Sequence, residues 1–328
     1  MAAWPDLGYN GAMSTLAEPR PQVASVSLTA SDTDPQAFAK ELGESFERYG
    51  FAIIADHGIP ADLIHRAEEK AKAFFALPDE VKRHYHTAGG GGARGYTPFG
   101  IETAKGATAY DLKEFWHVGR ELPPGHPYHE VMAPNVWPAE VQSFRDTFLE
   151  LFAAFDRTGL RILEAIARYL GLADDYFVDT VRDGNSVLRL LHYPPIPGDG
   201  PNVRAGAHED INTITLLLGA EEAGLQLLDR DGNWLPVTPN EGELAVNIGD
   251  MLQRLTNGVL RSTTHRVVNP PPERRGKSRY SMPFFLHFRP DFMIEALPGC
   301  VGDDRPQKWE PISAHDYLLE RLHEIKLT

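Results

Sequence analysis

The sequence is poor in three things whose scarcity narrows fold and function before any motif is read. It has a single cysteine, Cys300, among 328 residues. No intrachain disulfide and no cysteine-rich zinc site can form, and such usage fits a reducing cytoplasm. Positive charge is scarce: 32 Lys and Arg against 46 Asp and Glu leave a net charge of -14. A chain this acidic is not built to neutralise a phosphate backbone or to dock on an anionic membrane. The one basic cluster, Arg274-Arg275-Gly276-Lys277-Ser278-Arg279, is short and isolated, and its Arg274, Arg275 and Lys277 read as solvated loop. Long apolar runs are missing too. Stretches such as Leu216-Leu217-Leu218 fall far below the roughly 20 residues a membrane span needs. Residues 1–22 carry Pro5, Gly8, Gly11, Pro19 and Pro21 and lack a basic stretch leading into an apolar one. They read as a flexible arm, with no signal peptide expected. The expectation is a soluble, cytoplasmic protein with no nucleic-acid and no membrane partner, its oligomeric state open.

Several familiar motifs fail on inspection. Gly90, Gly92 and Gly95 satisfy G-x-G-x-x-G, but no strand precedes them and Pro98 blocks a following helix, so nothing cradles a phosphate. Gly276-Lys277-Ser278 resembles the end of a phosphate-binding loop, yet the glycine required five residues earlier is Pro271. His208-Glu209 opens like a zinc-protease helix, but the next ligand position is Asn212. No G-x-S-x-G is present.

What is there divides by texture. In 36–49, Phe38, Leu42 and Phe46 recur every four residues, which predicts an amphipathic helix stopped by Gly50. A short strand follows at 51–54, then a helix over 61–75 and a glycine-rich loop over 88–110. A long helix is predicted over 139–170, with Phe144, Phe148, Leu151, Phe155, Ile162 and Ile166 on one side. After Gly184, short apolar runs alternate with turn signals such as Asp231-Gly232 and Asn257-Gly258, the pattern of a sandwich or barrel. A last helix is expected near 313–325. The fold class is therefore α+β, with a flexible arm over 1–22 and a helical N-terminal region over 23–183. A β-core over 184–290 and a C-terminal extension over 291–328 complete it, and 23–328 form one cooperative unit.

The chemistry is concentrated in the β-rich half. His208 and Asp210 stand two apart at the mouth of an apolar run, so an extended backbone turns both to one face and Glu209 away. His265 opens another predicted strand. With 13 histidines in the chain, one H-x-D by chance would not surprise, and the surroundings have to carry the case. Two imidazoles and a carboxylate on one face of an octahedral ion leave three positions open, as iron(II) oxygen chemistry requires. Arg279 and Ser281 alternate onto one face of a predicted strand, a planar fork beside a hydroxyl that suits a buried carboxylate. Tyr193, ending another predicted strand, can add a phenolic hydrogen bond.

Longer strings carry a resemblance. In the first half stand Gly50-Phe51-Ala52-Ile53-Ile54-Ala55-Asp56-His57-Gly58-Ile59-Pro60 and Phe74-Phe75-Ala76-Leu77-Pro78. In the second stand His192-Tyr193-Pro194-Pro195, Ala207-His208-Glu209-Asp210, Asn247-Ile248-Gly249-Asp250, Ser262-Thr263-Thr264-His265-Arg266-Val267 and Arg279-Tyr280-Ser281-Met282-Pro283-Phe284-Phe285. Together they resemble the isopenicillin N synthase-like family of iron(II)/2-oxoglutarate-dependent dioxygenases. The resemblance implies a double-stranded β-helix (jelly roll) with Fe(II) on His208, Asp210 and His265. It implies 2-oxoglutarate on Arg279 and Ser281 with help from Tyr193, and O2 as second co-substrate. His57 matches a structural position, and Leu191 stands where many members have Asn.

The implied reaction decarboxylates 2-oxoglutarate to succinate and CO2 while oxidising a small or medium-sized organic molecule. Tyr96, Phe99, Trp116, Phe285 and Phe288 are the expected wall residues for it. Two alternatives stay open at this point. A 2-oxoglutarate-independent iron oxidase of the same fold also keeps an R-x-S pair, for another carboxylate. A non-catalytic jelly-roll module would keep the shape alone.

Overall fold

The computed structural model describes residues 23–86, 93–101, 110–196, 202–218 and 224–324. The arm expected over 1–22 and most of the glycine-rich loop lie outside the described residues. Fourteen strands are described: β1 Ser25–Ser27, β2 Phe51–Ala55, β3 Gly95–Thr97, β4 Glu114–Gly119, β5 Val187–Tyr193, β6 Ala205–His208, β7 Ile214–Leu218, β8 Leu225–Leu228, β9 Trp234–Pro236, β10 Leu244–Ile248, β11 His265–Val267, β12 Arg279–Leu286, β13 Met293–Ile294 and β14 Ile312–Ser313. Helices are α1 Ala30–Thr33, α2 Pro35–Tyr49, α3 Ala61–Phe75, α4 Asp79–Arg83, α5 Phe144–Tyr169, α6 Tyr176–Val181, α7 Asp250–Leu255 and α8 Ala314–Glu324.

Two sheets face each other. The larger runs β1-β2-β10-β7-β12-β5-β4-β3 and the smaller β6-β11-β8-β9. Only β1 and β2 pair in parallel within them; the other neighbours are antiparallel. Period-two alternation sorts the side chains. Ala52, Ile54, Trp116, Val118, Leu188, Leu190, Leu216, Val246 and Phe284 turn outward into a core shared with α2, α3 and α5. Phe51, Ile53 and Ala245 turn inward, toward Ala205, Leu225, Leu227 and Val267 of the smaller sheet. This is the jelly roll the resemblance implied, with its helices on one side.

Local sequence explains the helices that back the larger sheet. In α2 the Asp34 side chain accepts the Ala37 N–H at 3.0 Å and Pro35 fills the first turn, a cap with pre-set φ. Gly50 closes the helix at φ +68°, the left-handed value glycine adopts most readily. The 26-residue α5 presents Phe148, Leu151, Phe155 and Ile162 to the sheet. Phe155 stacks on Phe284 at 5.3 Å and Phe152 meets it edge-on at 4.9 Å. Burying Phe284 stabilises the fold by about 1.5–3 kcal/mol through area alone.

One expectation changes. The N-terminal region is not only helical, because β1, β2, β3 and β4 supply four of the eight strands of the larger sheet. The boundary between 183 and 184 therefore falls inside a sheet. The reason is visible in β4, every residue of which is buried. A strand covered on both faces shows no polar alternation, so Glu114-Phe115-Trp116-His117-Val118-Gly119 does not advertise itself.

Candidate metal and carboxylate site

His208 ends β6 and His265 begins β11, and the two are cross-strand partners. Their rings lie 4.4 Å apart. Asp210 stands past the end of β6, in the turn where the chain leaves the smaller sheet for β7 of the larger. The sequence placed His208 and Asp210 on one extended segment; the structure joins them instead through a strand end and a turn. Asp210 Oδ1 is 3.7 Å from His208 Nε2 and 3.8 Å from His265 Nε2. One ligand atom from each of the three residues falls within 4.8 Å of the others, close enough for one ion to bridge all three.

Each ligand is oriented by its other polar atom. His208 Nδ1 lies 2.8 Å from the Gly206 carbonyl and His265 Nδ1 lies 3.1 Å from the Thr263 carbonyl. A carbonyl can only accept, so both Nδ1 atoms carry the proton and both Nε2 lone pairs are free. Asp210 Oδ2 accepts from Thr215 Oγ1 at 2.5 Å and from Asn247 Nδ2 at 2.8 Å, which leaves Oδ1 for a metal. Such outer contacts fix tautomer and rotamer in metal centres. His208 lies at the mouth with its side chain 37% exposed, whereas Asp210 and His265 are buried.

Charge follows the same design. Burial, helped by His265 alongside, pushes the His208 imidazole down to about 4, so it is neutral at pH 7. Burial alone would push the Asp210 carboxyl up. The two imidazoles and the bonds from Asn247 and Thr215 more than offset this and hold it below its ordinary value. The donor set is thus two imidazoles and one carboxylate, nitrogen and oxygen ligands that suit Fe(II) and leave sites open.

Arg279 and Ser281 lie on the inner face of β12 and both are buried. Arg279 Nη1 donates to Ser281 Oγ at 3.2 Å. Tyr193 pairs directly with Arg279 across the β5–β12 ladder, and the guanidinium lies 4.9 Å from its ring centre. The three expected carboxylate-binding residues are therefore together. Leu191 pairs with Ser281 and packs with Tyr193 and Phe115, an apolar wall beside the Arg279–Ser281 pair.

The five expected wall aromatics separate. Phe285 faces inward, with the Arg189 guanidinium 5.3 Å from its ring centre. Trp116 and Tyr96 are cross-strand partners on the outward face. Trp116 packs 4.7 Å from Phe74 and Tyr96 5.7 Å from Phe74, and Tyr96 also donates to Glu114. Phe288 stacks on Phe177 and packs at a tilt against Phe292. These three are core of the helix layer, because their alternation parity is opposite to that of the inner face. Phe99 is 41% exposed and meets Tyr110 edge-on at 5.7 Å.

The same parity names residues the sequence reading passed over. On β5, Arg189 shares the face of Leu191 and Tyr193, and it donates to His117 at 2.6 Å with Phe115 4.3 Å beneath it. Arg204, fully buried, lies 5.9 Å from the Tyr193 ring centre on the side of β6. Counting back by twos from Tyr193 would have found Arg189. Arg204 has no comparable signal.

Comparisons with known proteins give the family. Residues 184–288 match the 2OG-Fe(II) oxygenase superfamily, and residues 22–140 match the non-haem dioxygenase N-terminal family. The 2-oxoglutarate-Fe(II) type oxidoreductase hxnY of Emericella nidulans is 37% identical over 87% of this chain and 85% of its own. A 2OG-Fe(II) oxygenase family protein of known structure from Caulobacter crescentus is 59% identical, with a TM-score of 0.87 over 92% of this chain and 99% of that one. A full-length Neurospora crassa protein, solved with alpha-KG and also with alpha-KG and thymine, is 31% identical with a TM-score of 0.82. The match covers 92% of this chain, and 95% of that one with alpha-KG alone or 96% with thymine as well. With its fold, its anchored ligand set and these relatives in agreement, this chain belongs to the 2OG-Fe(II) oxygenase superfamily and is a 2-oxoglutarate-dependent, iron(II)-dependent dioxygenase.

Proposed function

We propose that His208, Asp210 and His265 hold the Fe(II), that Arg279 and Ser281 with Tyr193 hold the distal carboxylate of 2-oxoglutarate, and that a small organic molecule is oxidised beside Phe285. The observation that carries the assignment is the anchoring of each ligand by its non-ligating atom. A structural histidine pair has no need to aim two lone pairs and a carboxylate oxygen at one point. Bound there, iron supplies dioxygen activation coupled to decarboxylation of 2-oxoglutarate to succinate and CO2. The chain supplies two imidazoles whose Nε2 atoms face Asp210 Oδ1 and a buried cation to orient the co-substrate. A small-molecule substrate is supported by the Neurospora crassa relative, which has been solved with thymine. A cytoplasmic setting is carried on the same footing, supported by the lone, buried Cys300. The unit over 23–328 is likewise proposed to unfold as one, supported by the sheet that both halves build.

The test is anaerobic titration followed by oxygen exposure. The wild type should bind one Fe(II), gain a weak visible charge-transfer band with 2-oxoglutarate, and release succinate once O2 is admitted. Asp210→Ala should lose iron and succinate together. Arg279→Ala should keep iron and weaken 2-oxoglutarate by about 10- to 100-fold, the worth of one charged, buried hydrogen-bonding group. Iron binding without any effect of 2-oxoglutarate would sink the co-substrate assignment and favour a 2-oxoglutarate-independent oxidase.

A further inference from the structure

The acidic exterior has a basic counterpart inside the barrel. Arg94, just before β3, is 7% exposed. Its guanidinium lies against the backbone of Gly119, where a β-carbon would fall 2.1 Å from both Cζ and Nε. Gly119 continues the inward row of Phe115 and His117 on β4 and pairs with Val187 of β5. Glycine at this position is what admits the guanidinium to the inner face.

Arg94 is held in place but not neutralised. Nη1 donates to the Ala93 carbonyl at 2.7 Å and Nη2 to Asn185 Oδ1 at 3.1 Å. Nε is buried and has no partner among the described residues. Burial pushes the group down to about 10, and no neighbouring carboxylate among the described residues counters it. An unpaired cation in such surroundings costs several kcal/mol.

The same end of the barrel carries other polar groups and the metal-site carboxylate. Asn185, which holds Arg94, precedes Ser186, whose Oγ accepts the backbone N–H of His287 at 3.1 Å. His287 is two residues beyond Phe285 on the inward parity, buried, with Nδ1 on the Phe285 carbonyl at 3.2 Å. Thr213 donates its backbone N–H to Leu286 at 2.9 Å, and its buried hydroxyl has no partner among the described residues. Phe285 pairs with Thr215, the residue that anchors Asp210. Arg94 thus lies toward the metal end of the inner face, whereas Arg279 sits six residues down β12 from Phe285.

We propose that Arg94 is the docking point for a carboxylate of the primary substrate, so that the molecule oxidised is a small organic acid. The proposal rests on the metal and 2-oxoglutarate assignments above. The 2-oxoglutarate carboxylate is matched by Arg279, which leaves Arg94 to a second anion. Asn185 fixes the guanidinium plane, Gly119 gives it room, and the Phe285 ring borders the carbon skeleton.

The test uses the full chain loaded with Mn(II) and 2-oxoglutarate without oxygen. It is screened by ligand-observed NMR against small carboxylic acids, each paired with its primary amide. Acids should bind and their amides should not. Arg94→Gln should weaken the acids by about 10- to 100-fold, with 2-oxoglutarate affinity unchanged. Gly119→Ala, whose methyl displaces the guanidinium and keeps its charge, should give a loss in the same direction, and it decides the matter if Arg94→Gln does not fold. The proposal is overturned if no acid binds the wild type, if amides bind as well as acids, or if Gly119→Ala leaves acid affinity intact. Failure of wild-type protein to bind 2-oxoglutarate would overturn the underlying site assignment instead.

Discussion

Asn247 makes the sharpest single test of how the metal site is built. It lies on β10, is 4% exposed, and donates through Nδ2 to Asp210 Oδ2 at 2.8 Å. Thr215 Oγ1 shares that oxygen at 2.5 Å. Asn247→Ala removes one of two bonds to an ionised acceptor, and such bonds contribute about 1.5–3 kcal/mol. With Thr215 left in place the lower half of that range applies, a loss of about 10- to 30-fold in Fe(II) affinity. Outer-contact mutations in metal sites typically cost about 10- to 100-fold, in agreement. The sign of the pH effect follows from Asp210, whose carboxyl is held below its ordinary value partly by this bond. Metal needs the ionised form, so affinity falls as pH drops through the folded value. Loss of the bond raises that value and moves the acid limb to higher pH. Anaerobic competition between protein and a chelating dye for Fe(II), at pH 7.5 and at steps down onto the acid limb, reads both effects. The deficit should widen on that limb, and Asn247→Ala combined with Thr215→Val should be non-additive because both act on one oxygen. Unchanged Fe(II) affinity, or a defect confined to 2-oxoglutarate, would refute the reasoning.

Other positions give independent tests. Burial pushes the Asp250 carboxyl up to about 6 despite Arg321 at 3.3 Å. A raised folded value means stability that is full below the unfolded value near 3.8 and is lost as pH rises through about 6. Asp250→Asn should therefore gain on the wild type above pH 6, by up to about 3 kcal/mol at about 1.36 kcal/mol per unit. Urea unfolding at pH 5 and pH 7.5 reads the difference, and equal gaps at both would contradict it. In α5, a β-carbon at Gly159 would sit 2.4 Å from Leu286 Cδ1. Gly159→Ala should cost about 1–3 kcal/mol by overpacking, and Leu286→Ala in the same chain should relieve part of that in thermal melts. Phe284→Ala removes a ring that Phe155 stacks on and should cost about 3–5 kcal/mol. A smaller loss would mean that α5 closes onto the gap.

Legibility in the sequence tracked how a residue's role is encoded. Helices α2, α3 and α5 were readable because one face is apolar and the other wet, so a 3.6-residue period shows in the letters. Strand β4 was not, since every residue of it is buried. The candidate metal ligands stood out as a motif, but the structure brings them together differently: His208 and Asp210 meet through the segment between two sheets rather than along one strand. The grouping of Arg279, Ser281 and Tyr193 followed from strand parity, which holds in both β12 and β5. The aromatic wall failed for the same reason in reverse. Trp116, Tyr96 and Phe288 were chosen by residue type, and type does not say which face of a strand a ring occupies; only Phe285 has the inward parity.

Arg94 shows where reading by pattern ends. It follows the glycine run and precedes Gly95-Tyr96-Thr97, a context with no periodicity, and in the letters it is one arginine among many. What sets it apart is a relation between distant positions: the space left by Gly119, the amide of Asn185, and no carboxylate beside it among the described residues. A missing counter-ion is a property of three-dimensional surroundings and has no signature along the chain. The proposed substrate position is therefore specified by what the fold brings close, whereas two of the three candidate metal ligands, His208 and Asp210, stand close enough in sequence to be seen as a motif.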